Sequence, residues 1–362
     1  MISGHGGNIY EMAQKLGCDP TEIVDMSSNV NPLGPPPGLL DFLREKMSGI
    51  MALPEVDAQD VIRALASRYQ VPPELVLAGN GTTQFIYTIP RALGTQRACI
   101  LGPTYADYAD ACIMNKVPYD HLILQDSDAF HPDMNRIHSE IAGYDTVFVC
   151  NPNNPTGVLI PVDEIEHLCQ SHSNTWFIID ESYLPFVAQS HDHSVLNRGI
   201  PNAIVLNSMS KIFRVPGLRI GFLMASEAVI EKFMRYMLPW SVNSLAQAAV
   251  TYLMTRQEET DAFVETTVRF LERERQGLSE AFENVQGIRF FPSTTSFMLA
   301  RLDENHRVEE ICSHLACQKI LIRKCANFRG LSDRFIRISL KTEAENRRLA
   351  EKLISAMNEN AS

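Results

Sequence analysis

The chain has 362 residues, 45% of them hydrophobic and 21% charged, enough to bury a large core in one large or two ordinary domains. Its formal net charge of −11, with no lysine- or arginine-rich block, excludes a general nucleic-acid or acidic-membrane surface, so an anionic ligand must be met by local charge. The eight cysteines form no C-x-x-C pair, the start Met-Ile-Ser-Gly-His lacks the regions of a signal peptide, and no apolar run reaches the ~20 residues that cross a bilayer. These features predict a cytoplasmic protein with reduced thiols.

The Pro-rich stretch 31–38 is a connector. Short apolar, β-branched runs then alternate with helical patterns, at 98–101, 146–150, 176–179, 203–206 and 220–224. Their spacing predicts a mainly parallel sheet covered by helices, an α/β architecture. In such sheets the ligand lies beyond the carboxyl ends of the strands, and each run here is followed by polar or glycine-bearing residues. From Ser244 to about Glu283 the pattern becomes one long helix with few breakers, suited to linking two domains. Strands at 296–300 and 335–340, a helix near 308–318 and a closing helix from about 342 form a smaller α+β unit.

The segment Ser208-Met-Ser-Lys211-Ile-Phe-Arg-Val-Pro-Gly-Leu-Arg219 sets one lysine among small hydroxyls, with an arginine eight positions on. The amine suits a Schiff base with an aldehyde, and the hydroxyls and Arg219 suit a phosphate on the same cofactor. A free lysine, with a pKa of roughly 10.4, is a poor nucleophile at neutral pH, so it must be desolvated or crowded by cations such as Arg214 and Arg219.

Four further segments supply matching parts. Ala78-Gly-Asn-Gly81-Thr82-Thr83 opens a helix whose free N–H groups favour a phosphate, or is simply a turn. Tyr105, just past a strand, offers an aromatic face for a ring, or packing. Asn151-Pro-Asn-Asn154-Pro-Thr-Gly157 is a binding loop or a rigid turn. Asp180 closes a strand with Tyr183 three residues on. A carboxylate at the inner end of an apolar strand suits a protonated pyridine nitrogen, and the competing explanation is a helix cap. All five, in this order and at strand ends, point to a pyridine-aldehyde phosphate.

With these residues in hand, the chain resembles the fold-type I pyridoxal-phosphate enzymes along essentially its whole length. The matching elements are N-N-P-T-G at 153–157, D-E-S-Y at 180–183, S-M-S-K at 208–211, G-L-R at 217–219 and R-I-S at 337–339. The resemblance implies a large domain with a mainly parallel seven-stranded sheet at 36–250, a small α+β domain at 251–362, and an N-terminal segment, 1–35, joining the small domain. It implies that Lys211 forms the Schiff base, that Asp180 pairs with the pyridine nitrogen, and that Asn154 and Tyr183 bond the ring's phenolic oxygen. It further implies that Tyr105 stacks on the ring, that Gly81, Thr82, Ser208, Ser210 and Arg219 hold the phosphate, and that Arg337 meets an anionic group of the substrate. A homodimer is implied in the same way.

Within that group the chain is most similar to histidinol-phosphate aminotransferases and the threonine-phosphate decarboxylases of cobalamin biosynthesis. Gly4-His-Gly-Gly-Asn8, Pro239-Trp-Ser-Val-Asn243 and the 322–331 segment resemble the decarboxylases. One departure is Leu53-Pro54-Glu55, where both groups usually carry a tyrosine before Pro-Asp, reaching the neighbouring subunit's site. Leu53 cannot donate that hydrogen bond.

A phospho-amino acid brings a carboxylate and a phosphate, and Arg323 and Arg337 match such groups with forked, charge-assisted hydrogen bonds. Either arginine can take either group. His5 and Asn31 are further candidates for the phosphate. The expected reaction is decarboxylation of O-phospho-L-threonine or O-phospho-L-serine to an aminoalkyl phosphate. A histidinol-phosphate or related transamination is the alternative, and a non-catalytic cofactor-binding protein is a third reading suggested by Leu53 alone. No metal is expected, and His191-Asp-His193 is read as a solvated loop.

Overall fold

The five apolar runs do form strands, and the computed structural model, which describes residues 6–360, shows what completes their sheet. In chain order the strands are β1 (Val24–Asp25), β2 (Val76–Gly79), β3 (Ala98–Gly102), β4 (Tyr119–Ile123), β5 (Thr146–Cys150), β6 (Trp176–Asp180) and β7 (Ala203–Asn207). They continue with β8 (Gly221–Met224), β9 (Ile288–Phe290), β10 (Phe297–Leu302), β11 (Ile320–Leu321), β12 (Arg323–Lys324) and β13 (Phe335–Ser339).

Seven strands form the large sheet in the order β2-β8-β7-β6-β5-β3-β4. The pairings among β4, β3, β5, β6 and β7 are parallel, and β8 runs antiparallel to both β7 and β2. Strands β2, β3, β5, β7 and β8 are buried at every position, as expected of a sheet covered on both faces. The edge strand β4 is more open, with Asp120 exposed and only Leu122 buried. Phe148, Phe177 and Phe222 fill the core with no exposure. This is the mainly parallel seven-stranded sheet that the resemblance implies.

The long helical pattern after Trp240 resolves into two helices, Ser244–Thr255 and Gln257–Phe282, rather than one. The break falls at Arg256, which leaves helical geometry with φ −104 and ψ 60. Thr260 Oγ1 reaches back across it to Leu253 O at 2.9 Å, so the chain turns without a glycine or proline.

Beyond it, β12, β13, β10 and β9 form an antiparallel sheet in that order. The N-terminal segment is stitched onto this part: β1 pairs in parallel with β11, and Ser339 N donates to Met26 O at 2.8 Å. Among the described residues no helix is long and apolar enough to cross a membrane.

Candidate active site

The antiparallel turn of β8 brings its first residue to the same edge of the sheet as the last residues of its neighbours. Gly221 pairs with Gly79, and Phe222 with Asn207. The segments that follow β2, β3, β5, β6 and β7 therefore open at one edge, where they line a cavity of about 660 Å³. Gly81, Thr82, Tyr105, Asn154, Asp180, Tyr183, Ser208, Ser210, Lys211, Arg219, Arg323 and Arg337, all marked by the sequence, line it together.

One end is built for a phosphate. The helix Gly81–Leu93 begins with no side-chain cap, leaving first-turn N–H groups for a ligand. Gly81 holds φ +73, and a Cβ there would lie 2.5 Å from Arg219 Nη2, so glycine lets the guanidinium close over the helix start. Ser208 and Ser210 are buried beside it, and Ser210 Oγ donates to Ile220 O at 3.2 Å. Sequence reasoning missed Gly221, whose added Cβ would stand 2.2 Å from Thr82 N. Its signal was a glycine inside an otherwise apolar strand, the mark of a close backbone approach.

The middle is built for a protonated ring. Asp180 is buried at the end of β6, where Tyr108 Oη donates to Oδ2 at 2.8 Å and Ser182 N to Oδ1 at 3.0 Å. Burial, and then the charge of Asp180, push the Tyr108 hydroxyl well above its ordinary pKa, so it stays a donor and steadies the carboxylate. Tyr108 is the second residue missed, although it lies three positions after Tyr105 at the start of one helix. Tyr105 Oη donates to Asp107 Oδ2 at 2.8 Å and its ring meets Tyr108 edge-on. Lys211 Nζ sits 4.8 Å from the Tyr183 ring centroid. The buried Tyr183 Oη accepts from Asn29 Nδ2 at 3.1 Å.

A further part of the lining is cationic. Arg323 and Arg337 are directly opposed across β12 and β13, an arrangement of like charges that an anion between them would relieve. Arg337 is buried, donating through Nη1 to Asn154 Oδ1 and through Nη2 to Ser27 O at 2.7 Å, while its Nε is buried without a partner. Arg323 Nη2 donates to Asn327 Oδ1 at 2.7 Å. Burial, and then Arg337, both weigh against the charge of Arg323.

Two candidates fall outside this group. Asn31 has no exposure: its Nδ2 donates to Ile212 O and Thr267 Oγ1 at 2.7 and 2.9 Å, and its Oδ1 accepts from Leu33 N at 2.9 Å. It ties the N-terminal segment to the Lys211 loop and the helix Gln257–Phe282. The neighbouring cavity residue is Asn29, two positions earlier. His5 lies outside the described residues. A rival cavity of about 640 Å³ borders Tyr69, Glu181 and Asn207, but no lysine lines it.

The cavity's donors fit pyridoxal 5'-phosphate: a lysine over an aromatic face, a buried carboxylate at the end of β6, and a glycine cradle at an uncapped helix start. The sequence model for aminotransferase class I and II matches residues 21–353. The chain belongs to this family. Its threonine-phosphate decarboxylase relative from Salmonella typhimurium is 32% identical over 351 residues, 96% of this chain and 94% of that protein. An adenosylcobalamin biosynthesis bifunctional protein from Leptospira interrogans is 31% identical over 96% of this chain, which spans 40% of that protein. A solved histidinol-phosphate aminotransferase from Clostridium acetobutylicum superposes with a TM-score of 0.84 at 26% identity, covering 92% of this chain and 99% of its own. This family member is a pyridoxal-phosphate-dependent enzyme.

Proposed function

We propose that the chain decarboxylates an O-phospho-amino acid, O-phospho-L-threonine or O-phospho-L-serine, to an aminoalkyl phosphate used in cobamide synthesis. The observation that carries this reading is the opposed pair Arg323 and Arg337 at one end of the cavity. Two guanidinium groups suit a substrate with two anionic groups, whereas histidinol phosphate brings only one. The relatives named for threonine-phosphate decarboxylation support the same choice.

When bound, pyridoxal phosphate supplies an electron sink for the bond that breaks at Cα. The chain's residues do the rest. Asp180, held by Tyr108 Oη and Ser182 N, presents its carboxyl group to the cavity from the end of β6. Arg337, fixed through Asn154 and Ser27, orients one anionic group, and Arg323 takes the other. Lys211 Nζ is the amine placed to carry a proton to or from Cα. In the decarboxylation the Cα–carboxylate bond breaks, carbon dioxide leaves and a proton takes its place on Cα. If the arginines instead kept the carboxylate in place and Lys211 moved the Cα proton, the outcome would be transamination.

Purified holoenzyme is expected to release carbon dioxide from O-phospho-L-threonine or O-phospho-L-serine. Loss of histidinol phosphate that depends on 2-oxoglutarate, without such release, would reassign it as an aminotransferase. A homodimer belongs to the same proposal. Ile50, Met51, Leu53, Met234, Leu238 and Trp240 are exposed on two segments joined by Trp240 N to Val56 O at 2.9 Å, an apolar face suited to a second copy. Sedimentation as a monomer at working concentration would remove that part.

A further inference from the structure

Lys341 is a buried lysine that the reaction above does not use. It follows β13 at the position where the strand's alternation continues from Arg337 and Ser339. These three side chains hold three consecutive residues of one turn. Arg337 Nη2 donates to Ser27 O at 2.7 Å, Lys341 Nζ to Ser28 O at 3.3 Å, and Ser339 Oγ to Asn29 Oδ1. The turn lines the cavity, and its Asn29 in turn bonds the Tyr183 hydroxyl.

The ammonium has little charge compensation. Asp25 Oδ1 is already occupied by Ser27 N, Ser27 Oγ and Ser28 N at 2.9, 2.6 and 3.2 Å, and Lys341 makes no ion pair among the described residues. Its backbone is clamped by Asn346, whose Oδ1 accepts from Lys341 N at 2.7 Å and whose Nδ2 donates to Lys341 O and to Glu274 Oε2 on the helix Gln257–Phe282, both at 2.9 Å. A buried, unpaired cation costs stability, so its presence beside an anion-binding turn calls for a reason.

We propose that Lys341 is a positioning residue for the anionic end of the substrate: it fixes the Ser27–Asn29 turn, and through it Arg337 and Tyr183, and adds positive charge that a doubly anionic substrate neutralises. This rests on the reading that the substrate carries both a carboxylate and a phosphate. The charged groups facing Lys341 are Asp25 at the end of β1, Arg214 after Lys211, and Glu345 on the closing helix. Burial pushes the amine down to about 8, with Asp25 opposing and Arg214 adding to the shift. The charge is therefore present at neutral pH and lost on the alkaline side, and a bound anion draws it back.

The test compares wild-type, Lys341→Met and Lys341→Arg holoenzymes by KM and kcat for O-phospho-L-threonine from pH 7 to pH 9.5. Lys341→Met is expected to raise KM about tenfold at neutral pH, the scale of one lost bond to a charged group, with a smaller change in kcat. In the wild type KM climbs above about pH 8, and in Lys341→Arg that climb disappears because guanidinium keeps its proton. A wild-type KM in Lys341→Met, or the same alkaline climb in Lys341→Arg, overturns the inference. If Lys341→Met does not fold, the wild-type and Lys341→Arg profiles decide. If the wild type releases no carbon dioxide, that failure belongs to the reaction assigned above. Inorganic phosphate binding, read from the absorbance of the bound cofactor, then carries the comparison: a tenfold weaker affinity in Lys341→Met supports the role and an equal affinity ends it.

Discussion

Replacing Gly221 with alanine tests whether the phosphate end depends on the close approach of β8 to a helix start. The added Cβ would stand 2.2 Å from Thr82 N, 2.6 Å from Gly81 C and 3.0 Å from Gly81 Cα, all of them backbone atoms. Ordinary contact is about 3.5 Å or more, so strand and helix must separate by roughly 1 Å. Main chain cannot rotate away as a side-chain tip can, which places the cost at the upper end of the overpacking range, about 3 kcal/mol. The same shift draws the uncapped first turn away from Ser208, Ser210 and Arg219, and losing one charge-assisted bond there weakens cofactor binding by about tenfold or more. Gly217→Ala, four residues before Gly221 in the preceding turn, is the control, because its Cβ would meet nothing within 4 Å, and its effect should stay within about 0.5 kcal/mol. Urea unfolding and an absorbance titration with pyridoxal phosphate read the two effects. A Gly221→Ala protein with wild-type stability and cofactor affinity, or a Gly217→Ala protein equally damaged, would refute the reasoning.

Two other outcomes follow from buried groups. Burial pushes the Glu181 carboxyl up to about 7, so the folded protein holds this proton more tightly than the unfolded chain, and the associated stability is lost as pH rises from about 4.5 through 7. Glu181→Gln should therefore be more stable than wild type at pH 8 by about 3 kcal/mol, with the gap closing toward pH 4.5; equal melting temperatures at pH 8 would contradict this. Tyr108→Phe leaves Asp180 Oδ2 without its hydroxyl donor, so urea unfolding should show a loss of about 1–3 kcal/mol, and an unchanged midpoint would show that the bond contributes nothing.

The parts legible in the sequence are those where local chemistry and fold agree. Strands β5, β6 and β7 are buried on both faces, and they read as unbroken apolar runs. Strand β4 was missed because it is an edge strand whose Asp120 and His121 interrupt any such run, and β2 because it is four residues long and ends in glycine. The break at Arg256 leaves no composition signal, since a threonine side chain closes it. Cofactor residues cluster in motifs just past strand ends, so Asn154, Asp180 and Lys211 could be found in one dimension. Asn31 could not be told from Asn29. Both are asparagines two apart in one irregular segment, and only the packing shows that Asn31 faces Ile212 and Thr267 while Asn29 faces Tyr183. Tyr108 and Lys341 were legible as spacing, three after Tyr105 and four after Arg337, but their partners come from distant parts of the chain.

The most direct measurement of the central claim is a product analysis with carboxyl-labelled O-phospho-L-threonine in deuterated water. A decarboxylase built on Lys211, Asp180 and the two arginines must release one labelled carbon dioxide for each aminoalkyl phosphate formed, and the product must carry one deuterium at the former Cα. Label retained in a 2-oxo acid, with the substrate's nitrogen left on the cofactor, would contradict the account and make the enzyme an aminotransferase.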